Sequence, residues 1–532
     1  MALKANVVRT TLLPFLRSYA AHASNHKLRP EDLDRRANIL NGWWTGLLEL
    51  LAGRNNQSIS GTDRPAILEA IAGVMERPEW RSAPSPFCAI ADRLETSSTT
   101  TVKSAASASS SSSDFLAESV YHNVRNIFTQ NLQSQMSFVV DKMSLRNAAS
   151  SLVTFCGKTC AYAFCFCPGV ADVLVRLWNP TAEVMKRVLE ESQISRQDRL
   201  DHISDRVIQS FPPMVHSLKF TTLTKTVRLL RRPVTPPLAT ANLDWYGSWV
   251  KRWSGAESDL FYVFVKHWHI LAADFVAAEP SNEERICVPG LIMVHAQVLV
   301  NLDATINRHT VPQQAEDPMT GATPITFDDV LETPDTSASA MPIPPANATR
   351  LMAENRIIML IRDFLSERNA HLGTSRRIFA ESFGRLLKGA ARKVSLYNSN
   401  ACYTLCDFLE EAFVILVRYE QLDPQQHSVL DWSFWLSVCK QMTASQNTAT
   451  EIKLFAFLYS TWAILISDEN RKASLCLDFL LEAEFFESRF NHWCPMVRSY
   501  YMRLLCWRVA RFDGDESEID LYDFYSSKHY VY

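Results

Sequence analysis

Glycine is scarce in this chain: 15 residues in 532, about 3% against a usual share of about 7%. Tight hairpin turns and phosphate-cradling loops consume glycine because it adopts positive φ without steric cost. The shortage counts against a β-rich fold and against most nucleotide sites. Charge of one sign is also missing. Lys+Arg 54 against Asp+Glu 57 leaves a formal net charge of -3, so no global field draws the chain to nucleic acid. The 12 cysteines are scattered, not packed into the dense framework of a small secreted domain, which predicts a reducing, cytoplasmic setting.

Long apolar runs are absent too. A spanning helix needs about 18 to 20 mostly apolar residues. The run 454–466 is too short, 260–278 carries Lys266, His267, His269 and Asp274, and 152–178 is interrupted by Lys158, Pro168 and Asp172. All three predict core helices, and no transmembrane helix is expected. No secretory signal is expected. The first 30 residues hold Lys4, Arg9, Arg17, Lys27 and Arg29 without an acid, the bias of a mitochondrial transit peptide; an ordinary amphipathic helix is the expected reading, with the transit peptide as its alternative.

What the chain does contain is helical periodicity. Pro30, Glu31 and Asp32 open a segment whose first turn is acidic, and Leu33, Leu40, Trp43, Trp44, Leu47 and Leu51 mark one apolar face. Thr62 with Pro65 just inside, and Ser85 before Pro86, read as further helix starts. The same spacing recurs over 356–365, 401–419, 433–442, 451–466, 474–485 and 496–510. No repeat of fixed period appears. The apolar share of 47% allows a sizeable core. The expected fold is all-α: an irregular α-solenoid or stacked helical hairpins with two disordered insertions.

Those insertions set the expected boundaries. The segment 97–113 is almost entirely Ser, Thr and Ala and reads as a linker, with Asp114 capping the next helix. The segment 311–349 holds seven prolines and cannot sustain a helix. The chain therefore divides into an N-terminal helical segment 1–96, the linker 97–113, a helical block 114–310, the linker 311–349 and a C-terminal block 350–532.

The segments 12–22, LLPFLRSYAAH, 29–44, RPEDLDRRANILNGWW, and above all 431–468, DWSFWLSVCKQMTASQNTATEIKLFAFLYSTWAILISD, carry a resemblance. Together they resemble a fungal family catalogued only as a domain of unknown function, some of whose members are labelled membrane proteins. The resemblance covers most of the chain. It implies relatives and a membrane label, and it transfers no catalytic residue.

Four cysteines, Cys156, Cys160, Cys165 and Cys167, fall close together, but their spacing is not that of paired zinc knuckles and their neighbours are mostly apolar. Buried structural thiols account for them, with metal binding or palmitoylation as alternatives; Cys402 and Cys406 read the same way. His267 and His269 at i, i+2 point to different helix faces, so they do not share a metal. GxSxG, Walker, GxGxxG and HExxH patterns do not occur. The acidic run 513–520 lacks the central glycine of an EF-hand. No catalytic, cofactor or metal site is expected.

Two segments invite partners. In 374–394, Arg376, Arg377, Arg385, Lys388, Arg392 and Lys393 supply a cationic face for an acidic partner or anionic lipid, beside an apolar face of Ile378, Phe379, Phe383, Leu386 and Leu387. Lys225, Arg228, Arg231 and Arg232 form a second basic cluster. Within 311–349, Phe327, Val330 and Leu331 line one side of a docking motif flanked by Asp328, Asp329 and Glu332. Thr235, Thr323 and Thr333 each precede proline, a pattern for proline-directed phosphorylation. The sequence thus supports a non-enzymatic helical scaffold or adaptor binding other proteins. Its alternatives are a peripheral membrane protein using the basic helix and an enzyme with an unrecognised site.

Overall fold

The computed structural model describes residues 2–19, 22, 28–52, 63–93, 111–194, 196, 200–255, 258–308, 352–422 and 428–510. The fold is all-α, with no strand among the described residues. Most of 97–113, all of 311–349 with Phe327, Val330 and Leu331, and the acidic run 513–520 lie outside the described residues. The first long helix after the serine tract is Ser111–Met143, which begins three residues before Asp114.

The chain forms two compact units, Met1–Asn301 with Asn369–Leu386, and Leu302–Arg368 with Leu387–Tyr532. This division departs from the expected blocks. The N-terminal segment does not stand apart from 114–301, because buried polar pairs tie them. Trp44 in the helix Pro30–Ala52 donates from Nε1 to Gln135 Oε1 at 2.8 Å, and Gln135 Nε2 donates to Thr159 Oγ1 at 2.5 Å. Gln135 is fully buried and joins three helices in one polar thread. Arg81 pairs with Asp274 at 2.7 Å, and the Ile90 amide donates to the Asp274 carbonyl.

The predicted apolar face of Pro30–Ala52 is present: Leu33, Leu40, Trp44, Leu47 and Leu51 are buried, and Trp43 is half-buried. Trp44, Trp80 and Phe128 form an aromatic cluster with centroids 5.5 to 5.9 Å apart. The most extensive pairing in the first unit joins Ser150–Phe166 to Leu260–Ala273, helices far apart in sequence. At their crossing stands Gly157, where a Cβ would lie 2.5 Å from Val263 Cβ. The absence of a side chain there lets the two backbones approach. Beside it Trp178 and Trp253 stack at 5.2 Å.

Ser85 before Pro86 does not start a helix. Its hydroxyl accepts from the Phe87 amide at 3.3 Å and its carbonyl accepts from Cys88, so Ser85 closes a turn and helical backbone resumes at residue 90. In the second unit, the expected helix over 451–466 breaks into Thr448–Ser460 and Trp462–Leu465. The break falls at Thr461, whose hydroxyl donates back to the Phe457 carbonyl at 2.7 Å. Likewise 474–485 divides into the end of Glu469–Leu475, a π-helical turn Cys476–Leu480, and the start of Ala483–Phe490.

Candidate functional site

The second unit encloses a partly open cavity of about 240 Å³. Its wall comes from three helices that the sequence makes amphipathic, Ser399–Leu422, Trp432–Ala444 and Thr448–Ser460, closed by Trp462–Leu465 and Glu469–Leu475. Phe413 anchors the interior: its ring lies 5.4 Å from both Trp432 and Trp435 and 6.1 Å from Phe457. Leu409, Leu454 and Leu458 add aliphatic surface, and Cys406 Sγ meets Met442 Sδ at 4.0 Å. The thiols of Cys406 and Cys439 are pushed up by burial, Cys439 to about 12, so both stay protonated at neutral pH. Neither carboxylate nor imidazole lines the cavity. It offers no general base.

The polar end is built around Arg471. Asp468 caps Glu469–Leu475 by accepting from the Arg471 amide at 3.0 Å, which fixes where the side chain starts. The guanidinium lies 4.4 Å above the Trp432 ring, and Nη2 donates to Ser467 Oγ at 2.8 Å. Nη1 is buried and meets no acceptor; neither does Nε1 of Trp435, a side chain only 3% exposed. Buried donors without acceptors cost stability unless something satisfies them. Ser433 and Asn470, both exposed, complete this end.

Behind the wall sits a separate ionic knot. Lys453, 7% exposed, pairs with Asp407 and lies 3.6 Å from Glu410 and 4.5 Å from the Tyr403 ring. Burial alone would lower the Lys453 pKa, but Glu410 and Asp407 outweigh it and raise it. None of these groups lines the cavity. The knot holds Ser399–Leu422 to Thr448–Ser460.

The cationic residues read from 374–394 are largely engaged within the fold. Arg376 is buried, and Arg377 donates to the Ala278 carbonyl with Glu279 3.6 Å away. Arg385 is half-buried, and burial followed by the neighbouring Arg285 charge lowers its pKa. Lys388 bonds Asp431 at 2.5 Å and lies over Phe434; Arg392 lies over the same ring, and Lys393 reaches Asp303 at 3.1 Å. Against the upward push of burial, Lys388, Ser433 and the Phe434 amide hold Asp431 at about 2, so Lys388 braces the cap of Trp432–Ala444. The helix is Gly373–Arg392, as its pattern predicts; Arg376 is buried in it, while Arg392 and Lys393 stay exposed.

Cys156, Cys160, Cys165 and Cys167 are buried along Ser150–Phe166 and just past it, and burial raises every one of these thiols. No group of three or more His, Cys, Asp or Glu residues converges as a metal site among the described residues. His267 and His269 part company: His267 is half-buried, whereas His269 is buried with its Nε2 3.2 Å from Nε2 of His295. Burial lowers His269 to about 4. No periodicity or spacing singled out His295 or Arg471; only proximity in the fold does.

Two further features bear on membranes. No single described helix is long and apolar enough to cross one; the pair Ser150–Phe166 and Val170–Trp178 is apolar enough together but bends by 120°, and both helices are buried in the first unit. Around Pro495–Leu504 and the π-helical turn Leu505–Val509, large side chains face outward instead. Trp493 is 78% exposed and Trp507 66%, with Met502, Arg503 and Cys506 exposed between them.

Residues 383–509 match the family described as "Protein of unknown function (DUF1765)". That span contains the cavity, Arg471 and the exposed tryptophans. The chain is also 23% identical over 521 residues to a UPF0592 membrane protein of the fission yeast Schizosaccharomyces pombe, covering 96% of this chain and 51% of that relative. The chain thus spans about half the length of the curated relative it matches. No solved structure matches it. The resemblance read from the sequence holds: a domain of unknown function with a fungal relative labelled a membrane protein.

Proposed function

We propose that this chain is a non-catalytic, cytoplasmic helical adaptor that works at a membrane surface and holds protein partners there. The observation that carries the reading is the exposure of Met502, Arg503 and Trp507 on the closing helix, with Trp493 exposed just ahead of it. Arg503 and Trp507 are four residues apart and so lie on one side of the closing helix. Indole rings favour the headgroup layer, where an apolar body and a polar N–H are both accommodated, and arginine adds attraction to anionic lipid. The fission yeast relative is labelled a membrane protein, which supports a membrane setting without naming a surface. The proposed lipid contact lies on the closing segment and not on the 374–394 helix, of which Arg377, Lys388 and Lys393 have internal partners. Buried thiols favour a reducing compartment. At the second unit's cavity, the lack of acids, imidazoles and thiolates favours binding over catalysis there.

Flotation of the intact chain with vesicles of phosphatidylcholine and phosphatidylserine tests the lipid half. We expect the protein to float, and the triple variant Trp493→Ala, Arg503→Ala, Trp507→Ala to bind roughly tenfold more weakly. Equal flotation of the two proteins, or none by the wild type, overturns the lipid reading. Purification of the tagged chain from its own cells tests the adaptor half. Recovery without any stoichiometric protein partner counts against it.

A further inference from the structure

We propose that the cavity of the second unit binds the acyl chain of a single-chain anionic amphiphile, with Arg471 holding its head group. Three observations converge. The first is volume: about 240 Å³ exceeds the roughly 150 Å³ that accepts benzene in an apolar protein interior. Water filling such a space would find few polar partners among Phe413, Trp435, Leu454 and Met442. An acyl chain needs none.

The second is the pair of buried donors at the cavity: Arg471 Nη1 and Trp435 Nε1 both lack an acceptor. A carboxylate or phosphate brings several acceptor oxygens and a negative charge, which a guanidinium binds more strongly than a neutral group. The face of Trp432, the Ser467 hydroxyl and Asp468, 4.0 Å from Nε, already orient that guanidinium and leave Nη1 for the head group. The third is shape. A docking helix is about 10 Å wide and needs an extended groove for its i, i+3, i+4 anchors. This cavity offers only about 240 Å³, with Leu465 and Leu475 among its lining, which suits one flexible chain with its head at Arg471.

The inference is separate from the lipid-surface reading. Cavity occupancy is measured with a dissolved probe, and the exposed tryptophans with vesicles, so one can fail without the other. The probe is cis-parinaric acid, a fluorescent fatty acid whose emission rises in apolar surroundings, titrated into the intact chain. We expect saturable one-to-one binding, weakened roughly tenfold by Arg471→Gln and retained within a few-fold by Arg471→Lys. Ser474→Phe, which fills the cavity from its lining, removes the binding, while circular dichroism and thermal unfolding confirm that each variant is folded. Displacement by lysophosphatidic acid better than by laurate identifies a phosphate head, and the reverse a carboxylate. Absence of saturable binding overturns the proposal. So does unchanged affinity in folded Ser474→Phe, and displacement by decanol as efficient as by either acid removes the role of Arg471.

Discussion

Replacing Gly157 by alanine sets two known effects against each other. In a helix interior the exchange gains about 1 kcal/mol, because glycine loses the most backbone freedom on folding. Here the new methyl would stand 2.5 Å from both Cβ and Cγ1 of Val263 and 3.2 Å from the Leu260 carbonyl oxygen. Non-bonded carbons are at ease at about 3.5 to 4.0 Å, so relief requires a shift of roughly 1 Å. Val263 Cβ is fixed to its backbone and cannot rotate away. The two helices must part, loosening Phe164 from Phe264 and Trp268, now 5.5 and 6.2 Å apart. Overpacking of this kind costs about 1 to 3 kcal/mol, at the upper end here because the strained atom is a β-carbon. We expect a net loss of about 1 to 2 kcal/mol for Gly157→Ala and more for Gly157→Val. Hydrogen exchange resolved to peptides of Ser150–Phe166 and Leu260–Ala273 is the assay, alongside urea unfolding. Faster exchange in both helices and a lower midpoint are expected. An alanine variant as stable as the wild type, or more so, refutes the close crossing.

The His269–His295 pair makes the first unit sensitive to acid. His269 Nδ1 lies 2.8 Å from the Val265 carbonyl and donates to it, so its Nε2 accepts from His295. With the folded pKa near 4 against about 6.5 unfolded, the unfolded state holds more protons in between. Stability is complete above pH 6.5 and falls as pH drops towards 4, by about 3 kcal/mol in all for His269. Urea unfolding across that window should show the slope, and the same slope in a His269→Gln, His295→Gln variant would exclude the pair as its source. In the second unit, Lys453→Met leaves Asp407 buried beside no cation and should cost about 3 to 5 kcal/mol, whereas adding Asp407→Leu should recover most of the loss. A single-variant cost below about 1 kcal/mol by chemical denaturation would contradict the buried pairing.

Local pattern carried the fold further than it carried the site. The face of Pro30–Ala52 was legible because its apolar residues and acidic first turn agree, and nothing distant competes with them. The burial of Cys156 and its neighbours was legible for the same reason. Ser85 and Thr461 misled because one hydroxyl can cap a helix, close a turn or end a helix, and the choice rests on which backbone group lies near. The cations of 374–394 show the limit most plainly. Their partners are Ala278, Asp303 and Asp431, 99, 90 and 43 positions away, and periodicity cannot report a charge that far off. Arg471 lay in an ordinary polar stretch; only the fold sets it over Trp432 and beside an apolar pit.

The burial of the cysteines has a chemical consequence of its own. Ten of the 12 thiols are buried and Cys494 is partly covered, which leaves Cys506 as the exposed sulfur. A folded chain should therefore take up a single maleimide or nitroxide label quickly, next to Trp507. That label would be a built-in reporter: quenched or slowed when the closing helix meets a surface, and joined by slower labels only as the interior opens.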